Sequence, residues 1–137
     1  MANEAVPLDL TETERGFLAA GLLEWNGPAR ATDELAVAMG FADTTELHRV
    51  AFELCDLLRD GADLTREQWM RALIATEFVF ASDVFGSGLD WSITTGYSDA
   101  ESVALLRGIQ RKMPRWRASF QFDSTDDSAT LRDIKRP

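Results

Sequence analysis

Few side chains in this sequence could do chemistry. The one histidine, His48, and the one cysteine, Cys55, lie seven residues apart in a stretch of helical periodicity, about 10 Å apart along the axis. They cannot form a nucleophile–base pair within one chain. A lone cysteine makes no intramolecular disulfide, and with one histidine there is no Cys/His zinc cluster. A diiron-type site needs Glu and Glu-x-x-His sets from several helices, and these are missing. No metal or cofactor is expected, and an enzyme is the least favoured class.

The most informative residue is Glu77. At 100° per residue, Arg66 to Phe85 spreads Trp69, Phe80, Leu73, Val84, Met70, Ala81, Ile74, Phe85 and Phe78 over about half a helical circumference. Glu77 falls inside that arc, between Val84 and Met70. A carboxylate there must be paired, hydrogen-bonded, protonated or open to a cavity, because bare burial is costly. One reading is a ligand-binding bundle, with Glu77 at the base of a pocket under residues 86–97. The other is structural: Glu77 accepts hydrogen bonds from that loop, or pairs with an arginine such as Arg107. Asp83 lies on the far edge of the same helix and does not converge with Glu77.

The loop itself carries Gly86, Gly88 and Gly96, which could form an anion-binding nest with Ser87, Ser92, Thr94 and Thr95 as further donors. It lacks the lysine of a phosphate-binding loop and the preceding strand of a dinucleotide fold. Trp91 is either a core plug or an exposed contact. Glu77, Ser87 and Trp91 are the candidate ligand-binding residues.

A second constellation is basic and aromatic. Arg107, Arg111, Lys112, Arg115 and Arg117 surround Trp116, with no acid among residues 102–122. Trp116, Ala118, Phe120 and Phe122 then alternate with polar residues, as in a strand or an extended docking segment. Arginine at a helix end is favourable in itself. Trp and Arg also dominate binding hot spots, so Arg111, Arg115, Trp116, Phe120 and Phe122 are candidate partner-binding residues. Exposed aromatics need cover from this chain, a second copy or a protein partner.

The whole chain bounds these readings. Its 137 residues make one domain, 45% hydrophobic, with a net charge of −9. Residues 1–101 hold 19 acids and 6 bases, whereas residues 102–137 hold 4 acids and 8 bases. Phosphates would be repelled by the larger part, so nucleic-acid binding is disfavoured. No apolar run reaches the roughly 18 residues of a membrane span. MANEAVPLDL shows no signal-peptide pattern, which points to the cytoplasm. Twelve arginines against two lysines suggest a GC-rich bacterial genome.

Five helices must position these residues. Thr11 with Glu14, Asp43 with Glu46, Thr65 with Gln68 and Ser98 with Glu101 read as capping boxes, and Thr32 caps a short helix. The expected helices run from Thr11 to about Trp25, Asp33 to Met39, Asp43 to about Asp60, Thr65 to Phe85 and Ser98 to about Met113. The expected fold is an all-α compact bundle with a central apolar helix over 66–85. Residues 1–10 read as a flexible leader, 11–113 as the helical domain, 114–122 as the docking segment and 123–137 as a mobile polar tail.

Thr32 to Leu54 resembles a helix-turn-helix, with Ala36 at the tight crossing, Gly40 at the turn and Phe41 beneath it. That resemblance implies DNA binding. The would-be recognition helix, however, carries Glu46, Glu53, Asp56 and Asp60 against Arg49 and Arg59, a poor charge balance for a major groove. The reading that survives best is a small acidic interaction or regulatory protein without catalysis of its own.

Overall fold

A computed structural model describes residues 4–115. The fold is all-α. The elements run β1 (Ala5–Val6), α1 (Glu12–Glu24), α2 (Asp33–Ala38), α3 (Thr44–Arg59), β2 (Leu64–Thr65), α4 (Arg66–Ala81), a 3-10 turn (Gly88–Asp90), α5 (Trp91–Thr95) and α6 (Asp99–Lys112). Among the described residues, no helix is long and apolar enough to cross a membrane.

Local chemistry starts the helices. Thr11, Thr65 and Ser98 each accept a hydrogen bond from the N3 backbone, while the N3 Glu or Gln returns one to the cap. At α3 the box is rearranged. Asp43 accepts from the Glu46 amide, but the Glu46 carboxylate accepts instead from the Ala42 N–H at 2.8 Å. Asp33 accepts from both the amide and the hydroxyl of Thr44 at 3.0 Å, which joins the start of α2 to the start of α3. Those two bonds also hold the Asp33 carboxyl below its usual range.

The helix over 66–85 stops at Ala81. Ser82 turns extended (φ −89°, ψ 125°), and the chain folds back across the last turn of α4, so that the Ser87 amide donates to the Val79 carbonyl at 2.8 Å. Gly86 sits within this reversal. A Cβ there would stand 2.5 Å from the Val79 carbonyl oxygen and 2.7 Å from that of Ser82, so no larger residue fits.

α1 and α4 share the centre. α1 packs against α3, α4 and α6, while α4 meets α1, α3, β2 and the 3-10 turn. Phe17, Leu18 and Leu22 of α1 are buried with Trp69, Ala72, Ala75 and Val79 of α4. The two helices approach closely at Gly21, where a Cβ would lie 2.4 Å from the Thr76 Oγ1. The indole N–H of Trp25 reaches the Ala75 carbonyl at 3.1 Å, which satisfies a buried donor.

The segment before α1 is anchored. Ala5–Val6 pairs antiparallel with Leu64–Thr65, the Trp69 indole donates to the Val6 carbonyl at 2.8 Å, and Leu10 is buried. The leader expectation missed this because its partners lie about sixty residues away. On the other side of Trp69, Arg15 stacks over the indole with its guanidinium carbon 5.4 Å from the ring centroid. The same guanidinium donates to the Ala62 carbonyl at 2.9 Å and the Leu58 carbonyl at 3.4 Å, covering the end of α3.

Candidate functional site

Residues 86–97 were expected to form a loop over a buried carboxylate, Glu77. Much of the span is helical, since Gly88–Thr95 is one continuous run of 3-10 turn and α5. The carboxylate beneath it is Glu24, at the end of α1. Glu24 is buried, and its Oε1 accepts from the hydroxyls of Ser87, at 2.7 Å, and Thr94. A buried carboxyl group needs hydrogen-bond partners to offset its lost hydration, and these two hydroxyls supply them. A sequence signal for Glu24 exists: seven residues after Phe17, it lies about 20° from Phe17 on the helical wheel, inside the buried face.

Glu77 is half-buried and belongs to a different network. Its Oε2 accepts from Gln110 Nε2 at 2.6 Å, and Gln110 Oε1 accepts from Arg107 at 2.8 Å. Arg107 thus reaches Glu77 through an amide relay, tying α4 to α6. The buried arc of α4 runs through Trp69, Ala72, Ala75, Thr76 and Val79, about 120° wide, and Glu77 stands about 80° beyond its Trp69 edge. Met70, Leu73, Ile74 and Phe78, the large apolar side chains around Glu77 on the wheel, are themselves only half-buried, and Val84 and Phe85 lie past the end of the helix. Asp83 lies there too, with Oδ1 accepting from the Leu89 amide at 2.9 Å.

Ser87 and Trp91 are buried on separate partners. Trp91 is a plug. Its indole donates to Ser102 Oγ at 2.7 Å, Ser102 donates onward to the Ser98 carbonyl, and its ring meets Phe17 and Phe80 edge-on at centroid distances of 5.5 Å. The structure therefore places the three candidate ligand-binding residues in three sets of contacts: Glu77 with α6, Ser87 with Glu24, and Trp91 with the core.

A second buried carboxylate, Glu14, joins the opposite ends of α1 and α6. It accepts from Lys112 Nζ at 2.7 Å and from the Thr11 amide at 2.9 Å. Burial alone would raise its pKa. The Lys112 and Thr11 hydrogen bonds, with the Lys112 charge, outweigh burial and hold the carboxyl below its ordinary 4.5. A depressed carboxylate pKa adds stability above the unfolded value, and that stability is lost as pH falls through the lower folded value. Lys112 is about one-third exposed, so solvent screens the pair to about 1 kcal/mol. In urea melts, Glu14→Gln is expected to be less stable than wild type by this amount at neutral pH. The gap should close as pH falls well below 4.5; a gap that persisted in acid would contradict this account of the pair.

The remaining reactive groups are quiet. Cys55 is buried, and burial pushes its thiol up despite Arg59 nearby. Among the described residues no group of three or more His, Cys, Asp or Glu side chains is placed to hold a metal ion. In the segment 32–54, Ala36 and Phe41 are buried, while Arg49 of α3 is engaged by Glu53 at 3.0 Å and Glu46 at 3.8 Å.

Three large apolar side chains of the 82–97 segment are largely exposed. Val84 and Leu89 are 82% exposed and Ile93 is 80% exposed. Leu89 and Ile93 are one helical turn apart on the same run. A cleft of about 360 Å³ at Leu89 is lined by Phe80, Ala81, Asp83, Gly88, Leu89 and Asp99. Asp83, Asp90 and Asp99 are all exposed. The backbone under this face is fixed by Ser87 and Thr94 on Glu24, by Trp91 in the core, and by the Arg30 amide on the Phe85 carbonyl at 2.7 Å. Of the basic-aromatic candidates, Arg111 and Arg115 are exposed; Trp116, Phe120 and Phe122 lie outside the described residues.

Compared with known protein families, curated proteins and solved structures, the chain matches none.

Proposed function

We propose that this chain is a small acidic cytoplasmic protein of bacterial type, without catalysis of its own, that binds another protein through the face carrying Val84, Leu89 and Ile93. One observation carries the reading: three large apolar side chains stand at 80–82% exposure within ten residues of one another, on a segment whose backing is fully tied to the core. Singly scattered apolar residues need no explanation, but large ones this exposed and this near in sequence, two of them one helical turn apart, do. A rigid backing means that little ordering entropy is lost when a partner covers it. The acidic rim of Asp83, Asp90 and Asp99 favours a basic partner and disfavours nucleic acid.

The runner-up, a ligand-binding bundle, needs a buried polar group free to receive the ligand. Glu24 and Glu14 are each held by two donors of the chain itself, which favours the docking reading.

Native mass spectrometry on protein purified gently from its own host tests it. A stoichiometric protein companion is expected with wild type and is expected to be lost from the Leu89→Asp/Ile93→Asp double variant. Both side chains are exposed, so the fold should be unaffected. A companion retained by the double variant, or a wild type carrying only a small extra mass, would sink the proposal.

A further inference from the structure

We infer that the same face is occupied, in the unpartnered protein, by the chain's own basic-aromatic segment 114–122, which acts as a built-in competitor of the partner. This rests on the docking reading above and names the chemistry of its ligand: an aromatic anchor flanked by arginine.

Charge is the first argument. The described face presents Asp83, Asp90 and Asp99 around Leu89 and Ile93, within a region of 19 acids and 6 bases. The segment following α6 carries Arg115 and Arg117 around Trp116, then Phe120 and Phe122, with no acid. The apolar groups lacking cover and those needing it lie on oppositely charged parts of one chain.

Reach is the second. α6 has 14 residues and is about 21 Å long. It begins at Asp99, which lines the cleft beside Leu89, and ends where Met113 is buried and Glu14 holds Lys112. The ten residues 113–122 can span about 33 Å, enough to return along α6 to its start. Val103, 47% exposed, lies one turn beyond Asp99 and extends the apolar surface along that path. A short tether gives an effective concentration in the millimolar range, which favours this chain's own segment over that of a second copy.

Tryptophan fluorescence tests the inference in the full-length protein. Trp25, Trp69 and Trp91 are buried, so the difference in emission between wild type and Trp116→Phe isolates Trp116. Its signal is expected to resist acrylamide quenching, to keep that resistance on dilution, and to lose it in Leu89→Asp/Ile93→Asp. A Trp116 as quenchable in wild type as a free indole would overturn the inference. Protection that the double variant leaves intact would place the segment elsewhere, and protection that fades on dilution would assign it to a second copy; either result also overturns it. The companion assay is separate. Loss of the companion in the double variant without any Trp116 protection would leave the docking reading standing alone. Release of Trp116 without loss of the companion would keep the segment on this face but overturn the docking reading and, with it, the competitor role.

Discussion

Trp91→Ala is expected to lower the free energy of unfolding by about 4 kcal/mol. The ring fills the space between Phe17 on α1 and Phe80 on α4, and its truncation leaves a cavity that two helices and a short turn cannot easily close. The indole N–H also supplies the hydrogen bond to Ser102 Oγ, at 2.7 Å, so the buried hydroxyl loses its donor. Trp91→Phe keeps much of the volume and loses only the donor, so its expected cost is about 2 kcal/mol. Urea denaturation followed by far-UV circular dichroism measures both. A cost under about 1 kcal/mol for the alanine variant would mean that Trp91 is not a plug.

The second large effect is at Gly21. With the Thr76 Oγ1, Cγ2 and Cβ standing 2.4, 2.7 and 2.8 Å from a Cβ at position 21, Gly21→Ala forces α1 and α4 apart at their closest point. Alanine is the better helix former by about 1 kcal/mol, so propensity alone predicts stabilisation. Overpacking predicts a net loss of about 3 kcal/mol, because threonine is short and the clash extends to its own Cβ. The sign of the change therefore decides between the two effects. Thr76→Ala added to Gly21→Ala removes the Oγ1 and Cγ2 clashes and leaves the Cβ contact, so it should restore part of the lost stability. Thermal unfolding of the two single variants and the double variant provides the cycle. A Gly21→Ala protein as stable as wild type would rule out the close crossing.

Helix starts were legible because their signals are local. Thr11, Thr65 and Ser98 cap as their neighbours three residues on imply, and only at Asp43 did a carboxylate choose a different amide. The end of α4 was not legible. Val84 and Phe85 continue the apolar run, and the stop comes from the Ser82–Ser87 reversal, which depends on Gly86 fitting against the backbone of the preceding turn. Glu77 entered the apparent core for a separate reason: the large Leu73, Met70, Ile74 and Phe78 flank it on the wheel, whereas the face that packs inward is made mostly of the small Ala72, Ala75, Thr76 and Val79. Glu24 was hidden by the opposite effect: a charged residue beside Asn26 and Gly27 reads as the polar end of a helix, and only its angular closeness to Phe17 gives its burial away. The helical character of 88–95 is too short for periodicity to resolve. The anchoring of Val6 by Trp69 is a contact across 63 residues, beyond what a local pattern contains.

Arg15 has a consequence for how the protein comes apart. The carbonyls of Leu58 and Ala62 at the end of α3 are covered by a residue of α1, and that same guanidinium lies on an indole of α4. The final turn of α3 is thus completed by a group more than forty residues earlier in the chain, and it frays when α1 departs. Opening of α1 then exposes the end of α3 and one face of Trp69 in the same event. α1, α3 and α4 share one cooperative unit, with amide protection that is gained and lost together instead of helix by helix.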